Sequence, residues 1–335
     1  MTKEYKTHNM LGAITEQQWQ VLLASSDTAN FFQTKQALHF FKNVGLETFG
    51  FAIERGSKIT ALIAGIIQKE KGIKSTFTSR AIIYGGPVFS NDVTNTEIEE
   101  LLKQVVKKMH KKAIYFEIRN LNDYSSYKDV FQKVGFEYVP HCNFHLDCSD
   151  EGVMRKRMSS SKLRQVKKSI KNGAEIIEAQ NTDDIAAYYT ILHHLYTTKV
   201  KTPLPDLEFF QKMWESKTAR FLLIQYQGEI IGGIVCPILK DKVIYEWFVC
   251  GKDGVYKNVY PSILATWAAM EYAYKNDIAR FDFMGAGKPD QDYGVREFKS
   301  KFGGDLVEHG RFLYVSKPIL YNIGKTAVKI LKKTS

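Results

Sequence analysis

Residues 219–239 read ARFLLIQYQGEIIGGIVCPIL, and residues 48–68 read TFGFAIERGSKITALIAGIIQ. Each is an apolar run, a short polar turn holding Gly228 or Gly56, and a second apolar run with small residues in it. That pattern predicts a β-hairpin whose glycine takes the tight turn. The segments after the two hairpins also match: a further strand, a helix, and one more strand. The helices show apolar residues at helical spacing: Ile98, Leu101, Leu102, Val105, Val106 and Met109 in the first half, and Ile263, Leu264, Trp267, Ala268 and Tyr272 in the second. Each set reads as one apolar stripe. The closing strands are AIYFEIR at 113–119 and ARFDFM at 279–284. Two copies of one plan, offset by about 170 residues, predict a duplicated α/β fold of mixed sheets flanked by helices.

Composition supports two ordinary domains. The chain has 335 residues, 44% of them hydrophobic and 25% charged, values that exclude an intrinsically disordered chain. The longest apolar run, residues 61–67, falls well short of the ~20 residues that cross a bilayer. The opening MTKEYKTHNM lacks the apolar centre of a signal peptide, so a cytoplasmic location is expected. Cys142, Cys148, Cys236 and Cys250 have no metal-site spacing, so free core thiols are expected and no metal. The net charge of +11 favours polyanionic partners: RNA, a nucleotide-linked acceptor, or an anionic membrane surface. That excess is concentrated. Arg155, Lys156, Arg157, Lys162, Arg164, Lys167, Lys168 and Lys171 crowd one segment, and Lys325, Lys329, Lys332 and Lys333 close the chain.

The chemistry is expected in residues 280–315, RFDFMGAGKPDQDYGVREFKSKFGGDLVEHGRFLYV. A strand ends at Gly285 and Gly287, and Val295, Phe298 and Phe302 then fall at helical spacing beside Lys299. Asp282, Phe283 and Gly285, followed by Gly294, Phe298, Lys299, Phe302 and Gly303, resemble the C-terminal signature of the Fem family, the peptidoglycan interpeptide-bridge aminoacyltransferases and their relatives. Further landmarks agree: Phe31-Phe32-Gln33, residues 84–88 (YGGPV), Arg119-Asn120, Gly135-Phe136, and the basic segment 158–173, whose Ser159 to Ser161 can cap a helix with Leu163, Val166 and Ile170 on its apolar side.

The resemblance implies tandem GNAT-like acyltransferase domains, at 1–150 and 151–316, with a basic helix at 317–335 returning to the first. It implies an amide-forming transfer of an aminoacyl or acyl group onto an amine of a cell-envelope precursor, a peptidoglycan or surface-polysaccharide intermediate. No cofactor is expected; the donor is aminoacyl-tRNA or acyl-CoA as co-substrate. Lys299 is the candidate cation for the oxyanion or a donor phosphate, Phe298 shapes the wall, and Asp282 orients or deprotonates the amine. On that reading Lys299→Met costs about 100-fold in turnover with the fold intact. Tyr196, Lys199 and Lys201 are candidate acceptor contacts, Tyr245, Trp247 and Tyr256 a candidate groove, and Arg164, Lys167 and Lys168 candidate donor contacts. His193 and His194 read as structural.

Three features depart from the family pattern. There is no long heptad hairpin, the arginine that often follows the domain-two threonine is missing, and Tyr260-Pro261 stands where a coenzyme A pyrophosphate loop would open a helix. Two other readings therefore stand beside the first: an acyl-CoA-dependent N-acetyltransferase, and a non-catalytic nucleic-acid or precursor-binding module.

Overall fold

The computed structural model describes residues 5–9, 11–69 and 78–334, and the chain divides into two units, Met1–Pro140 with His309–Ser335, and His141–Glu308. The side chains of Lys329, Lys332 and Lys333 lie outside the described residues.

The first unit is built on an eight-stranded sheet: β1 (Tyr5–His8), β2 (Glu47–Arg55), β3 (Lys58–Gln68), β4 (Arg80–Gly85), β5 (Val88–Phe89), β6 (Tyr115–Asn120), β7 (Glu137–Val139) and β16 (Arg311–Val315). The second holds β8 (Cys142–Asp147), β9 (Glu175–Glu178), β10 (Ala219–Tyr226), β11 (Glu229–Leu239), β12 (Val243–Tyr245), β13 (Phe248–Gly251), β14 (Arg280–Asp282) and β15 (Asp305–Glu308). The orders correspond place for place: β1-β2-β3-β4-β6-β16-β7 in one, β9-β10-β11-β12-β14-β8-β15 in the other. Among the described residues each sheet has one parallel pair, β4 with β6 and β12 with β14.

The hairpins form as their sequences require. β2 and β3 pair antiparallel with a register shift at Ile53/Glu54, and β10 and β11 do the same with a shift at Ile224/Gln225. Gly56 and Gly228 turn with φ of 61° and 79°, where an added Cβ would strain the backbone.

The division of the chain falls earlier than 150 and 316. β8 lies within 1–150 but pairs with β14 and β15, while β16 lies within 151–316 but pairs with β6 and β7. The two strands occupy the same place in their sheets, one entering from before its unit and the other from after. The structure places Pro318–Thr334 as a helix following β16.

Helix Asn95–Met109 begins at a Thr94–Glu97 capping box and buries Ile98, Leu101, Leu102, Val105 and Met109. Helix Pro261–Lys275 does not keep to a single stripe. Ala265, Thr266, Ala269 and Met270 are buried as well as Ile263, Leu264, Trp267 and Ala268, because helix Ser160–Lys171 packs on it in addition to the sheet. Ser159 caps Ser160–Lys171 through the Lys162 N–H. Of the three apolar positions expected to face inward there, Val166 is buried but Ile170 is half exposed. Buried Ser169 takes the inward place, and its hydroxyl accepts from the Tyr260 N–H at 2.9 Å. All four cysteines are free and buried.

Candidate active site

Strand β12 runs parallel to β14 only as far as Tyr245 and Asp282. Beyond Tyr245 the chain breaks at Glu246 and Trp247 and resumes as β13, which pairs with β11. Beyond Asp282 the other strand turns through Met284 and Gly285, with φ of 54° and 119°. The parallel pair therefore opens at Glu246.

Two side chains meet at this fork. Lys299, on helix Gly294–Ser300, places its Nζ 3.0 Å from Glu246 Oε1 and donates to the carbonyls of Phe283 at 2.5 Å and Gly285 at 3.0 Å. Lys299 is 9% exposed and Glu246 4%, so the pair is almost dry. Burial pushes the Glu246 carboxyl above its usual range, with Lys299 opposing that shift. The Thr266 hydroxyl approaches its other oxygen at 3.4 Å. Lys299 is thus a placed cation with every donor direction engaged, and replacing it reaches the fold as well as any chemistry.

Asp282 is fully buried beneath the turn. Its Oδ1 accepts from Asn143 Nδ2 at 2.8 Å and from the Met284 N–H at 2.7 Å, and its Oδ2 lies 3.1 Å from His145 Nε2. Burial opposes ionisation here, but His145, Arg280 and Asn143 outweigh it and hold the carboxyl below its usual range. Asn143 Oδ1 in turn accepts from the Gly285 N–H at 2.7 Å. Arg296 donates to the carbonyls of Ala286 at 2.9 Å, Pro289 at 3.1 Å and Lys288. The glycine turn is held from both sides, a preorganised arrangement. In this geometry Asp282 fixes the turn and is enclosed, so direct contact with an incoming amine does not fit it.

Phe298 is half buried, 5.3 Å from the Phe302 ring, with Lys162 Nζ 3.9 Å from its centroid. Burial, assisted by Lys301, lowers the Lys162 amine to about 8 from 10.5. The folded protein therefore sheds this proton before the unfolded chain does, and stability rises with pH between about 8 and 10.5. Wild type is expected to gain stability relative to Lys162→Met across that interval in urea titrations. Parallel curves for the two proteins would refute the assignment.

A cavity of about 350 Å³ is lined by Tyr189, His193, Tyr196, Thr197, Lys201 and Asp206, with Thr202 and Leu204. It forms where helix Thr182–Leu195 loosens into a π-turn over Tyr196–Val200, and Lys201 follows in the left-handed region at φ 52°. Such π-turns are frequent at functional sites. Tyr196 and Lys201 thus meet in one cavity, Lys199 is exposed on the π-turn, and His193 lines the same cavity.

The aromatic groove does not form as one surface. Tyr245 is fully buried at the end of β12, next to buried Glu246. Trp247 packs on Phe209 and Phe248, whereas Tyr256 packs on Tyr226 with its hydroxyl 3.4 Å from Glu229, beside the β10–β11 turn. At the start of helix Pro261–Lys275, Pro261 has no N–H to give, and Ser262 donates from its N–H and its hydroxyl to the Asp253 carboxylate. A carboxylate occupies the place where a pyrophosphate would need free N–H groups.

The basic segment separates into two sets. Arg155 pairs with Glu151 and stacks on Trp267, Arg157 pairs with Asp305, and Lys162 is buried. Arg164, Lys167, Lys168 and Lys171 are exposed, and their spacing of three and four puts them on one face of the helix. Among the described residues no group of three or more His, Cys, Asp and Glu could hold a metal ion.

Glu246, Asn143 and His145 were missed from sequence. The signal for the last two is in the strand itself: Asn143, His145 and Asp147 alternate with Cys142, Phe144 and Leu146, so the polar side chains share one face. Glu246 gave only an acid between aromatic residues.

Residues 230–329 match the model of the FemAB family. That match covers the strands and helices around the Lys299–Glu246 pair, within less than a third of the chain. The structure of FemX superposes with a TM-score of 0.74 at 12% identity, covering 95% of this chain and 99% of that one. L-PGS from Bacillus licheniformis gives 0.57 at 13%, covering 93% and 96%. A tandem GNAT protein from the clavulanic acid biosynthesis pathway gives 0.57 at 8%, covering 93% and 98%. These likenesses establish a duplicated GNAT-like fold. No sequence match to a curated protein was found. Among the described residues no helix is long and apolar enough to cross a membrane.

Proposed function

We propose that this chain forms an amide by moving an aminoacyl group from an activated ester onto an amine of a cell-envelope precursor. The observation that carries the reading is the fork of β12 and β14, where the buried Lys299–Glu246 pair stands behind a rigidly held glycine turn. In the reaction the acceptor nitrogen attacks the ester carbonyl. The C–N bond forms, the C–O bond breaks, and the leaving hydroxyl takes a proton. Lys299 supplies positive charge where the carbonyl oxygen becomes anionic, exchanging a backbone carbonyl for it. Glu246, with its raised carboxyl, receives the amine proton and passes it on. Phe298 shields the fork, while Asp282 acts through the turn it holds. The cavity with Tyr196, Lys201 and Asp206 takes the polar end of the acceptor, where its opposite charges suit a group bearing both amine and carboxylate.

Aminoacyl-tRNA is the favoured donor. The exposed face of Arg164, Lys167 and Lys168 suits RNA phosphates, and the Asp253 carboxylate at the start of helix Pro261–Lys275 disfavours coenzyme A. The match of residues 230–329 to the FemAB family supports the envelope acceptor. The test is product mass spectrometry. The protein is incubated with mixed aminoacyl-tRNA or with acetyl-CoA, each with a nucleotide-linked muramyl pentapeptide. One aminoacyl increment on the peptide amine is expected with tRNA. Acetylation alone would move the assignment to the thioester-dependent enzyme, and no product with either donor, despite binding, would leave the binding-module reading.

A further inference from the structure

Lys162 is buried where its charge has little support. It stands in the first turn of helix Ser160–Lys171, at the positive end of the helix dipole, and a long side chain there leans back toward that end. Only 7% of the residue is exposed, yet its Nζ meets rings: the Phe298 centroid at 3.9 Å and the Phe302 centroid at 5.4 Å. Among the described residues no carboxylate lies within ion-pair reach of it.

The groups around the amine act in both directions. Burial favours the neutral form most, Lys301 adds to that, and Asp253, on the loop before helix Pro261–Lys275, opposes both less strongly. A lysine removed from water and set beside a second cation is an activated nucleophile. At pH 8 about half of the Lys162 amines are neutral, against about one in 300 for an ordinary lysine at 10.5. The cover is thin: Phe298 is half buried, and Ser160 and Lys301 are exposed.

We propose that Lys162 is a site of acylation, its Nζ taking the acyl group of a small acyl phosphate. The amine lone pair attacks the carbonyl carbon. The N–C bond forms, the C–O bond to phosphorus-bound oxygen breaks, and inorganic phosphate leaves with the bonding pair. The proton lost from nitrogen passes to that phosphate or to water. The product is a neutral amide, so the cation over the Phe298 ring is lost. This reaction needs neither tRNA nor an acceptor, and it is independent of the transfer proposed at the fork.

The test treats the full chain with limiting acetyl phosphate from about pH 6.5 to about pH 10 and reads initial acetylation rates, lysine by lysine, by peptide mass spectrometry. Below pH 8 Lys162 is expected to react about tenfold or more faster than Lys167 and Lys171, exposed lysines of the same helix, and to level off above pH 8 while theirs still rise. Lys301→Met, at an exposed position, should move the Lys162 profile to higher pH by removing the neighbouring cation. In urea the preference for Lys162 should vanish. The proposal is overturned if folded Lys162 reacts no faster than Lys167 and Lys171, if its preference survives unfolding, or if Lys301→Met leaves its profile unchanged.

Discussion

Lys299→Met is expected to destabilise the second unit by about 3–5 kcal/mol, because it leaves the Glu246 carboxyl buried without its partner. The carbonyls of Phe283 and Gly285 lose a donor in the same step. Removing both charges should undo most of that loss, so Lys299→Met with Glu246→Leu should unfold in urea close to wild type. Turnover should remain at least about 100-fold down in both variants, since the charge that meets the oxyanion is gone from each. Lys301→Met is the control. Its ammonium is exposed and paired with Glu297, and its loss should change stability by no more than about 0.5 kcal/mol. A stable, inactive single variant would mean that the pair contributes nothing to the fold. A destabilised double variant would mean that the carbonyl contacts, not the buried charge, carry the loss.

The donor assignment has an equally large consequence. If the exposed face of Arg164, Lys167 and Lys168 meets RNA phosphates, donor affinity falls linearly with the logarithm of salt. Replacing all three by Gln should flatten that slope by about two to three units. Over a tenfold change in salt the variant and wild type would then diverge by about 100-fold or more in donor binding. Arg155→Gln serves as the contrast, because its guanidinium is already engaged by Glu151 and Trp267. The measurement is filter binding of aminoacyl-tRNA across a salt series. A slope unchanged in the triple variant would reduce the basic face to a solvated surface and return the donor to an acyl thioester.

The residues that could be assigned from sequence were those whose role is local. Gly56 and Gly228 sit in turns that demand positive φ, so the hairpins were readable from their own residues. Lys299 comes after a strand and a glycine break at helical spacing, which fixed it to a strand end. The aromatic groove failed for the opposite reason. Alternation along 245–248 assumes an unbroken strand, but β12 stops at Tyr245 because its parallel partner ends there, and the inward place passes to Glu246. Ile170 failed similarly, since Ser169 is drawn inward by the Tyr260 N–H, a group remote in the chain.

Sequence by itself therefore determined the repeated hairpin, strand, helix and strand, and the position of Lys299 and Phe298 on a short helix after a glycine turn. These features arise from side-chain period and turn chemistry, which act over a few residues. Tertiary structure alone decided that β8 and β16 fill equivalent places from opposite directions along the chain, and that the partner of Lys299 is Glu246. Strand pairing is settled by which edge each strand meets, and the neighbour of a buried charge by which strands stop together. Neither is encoded in the spacing of any one segment.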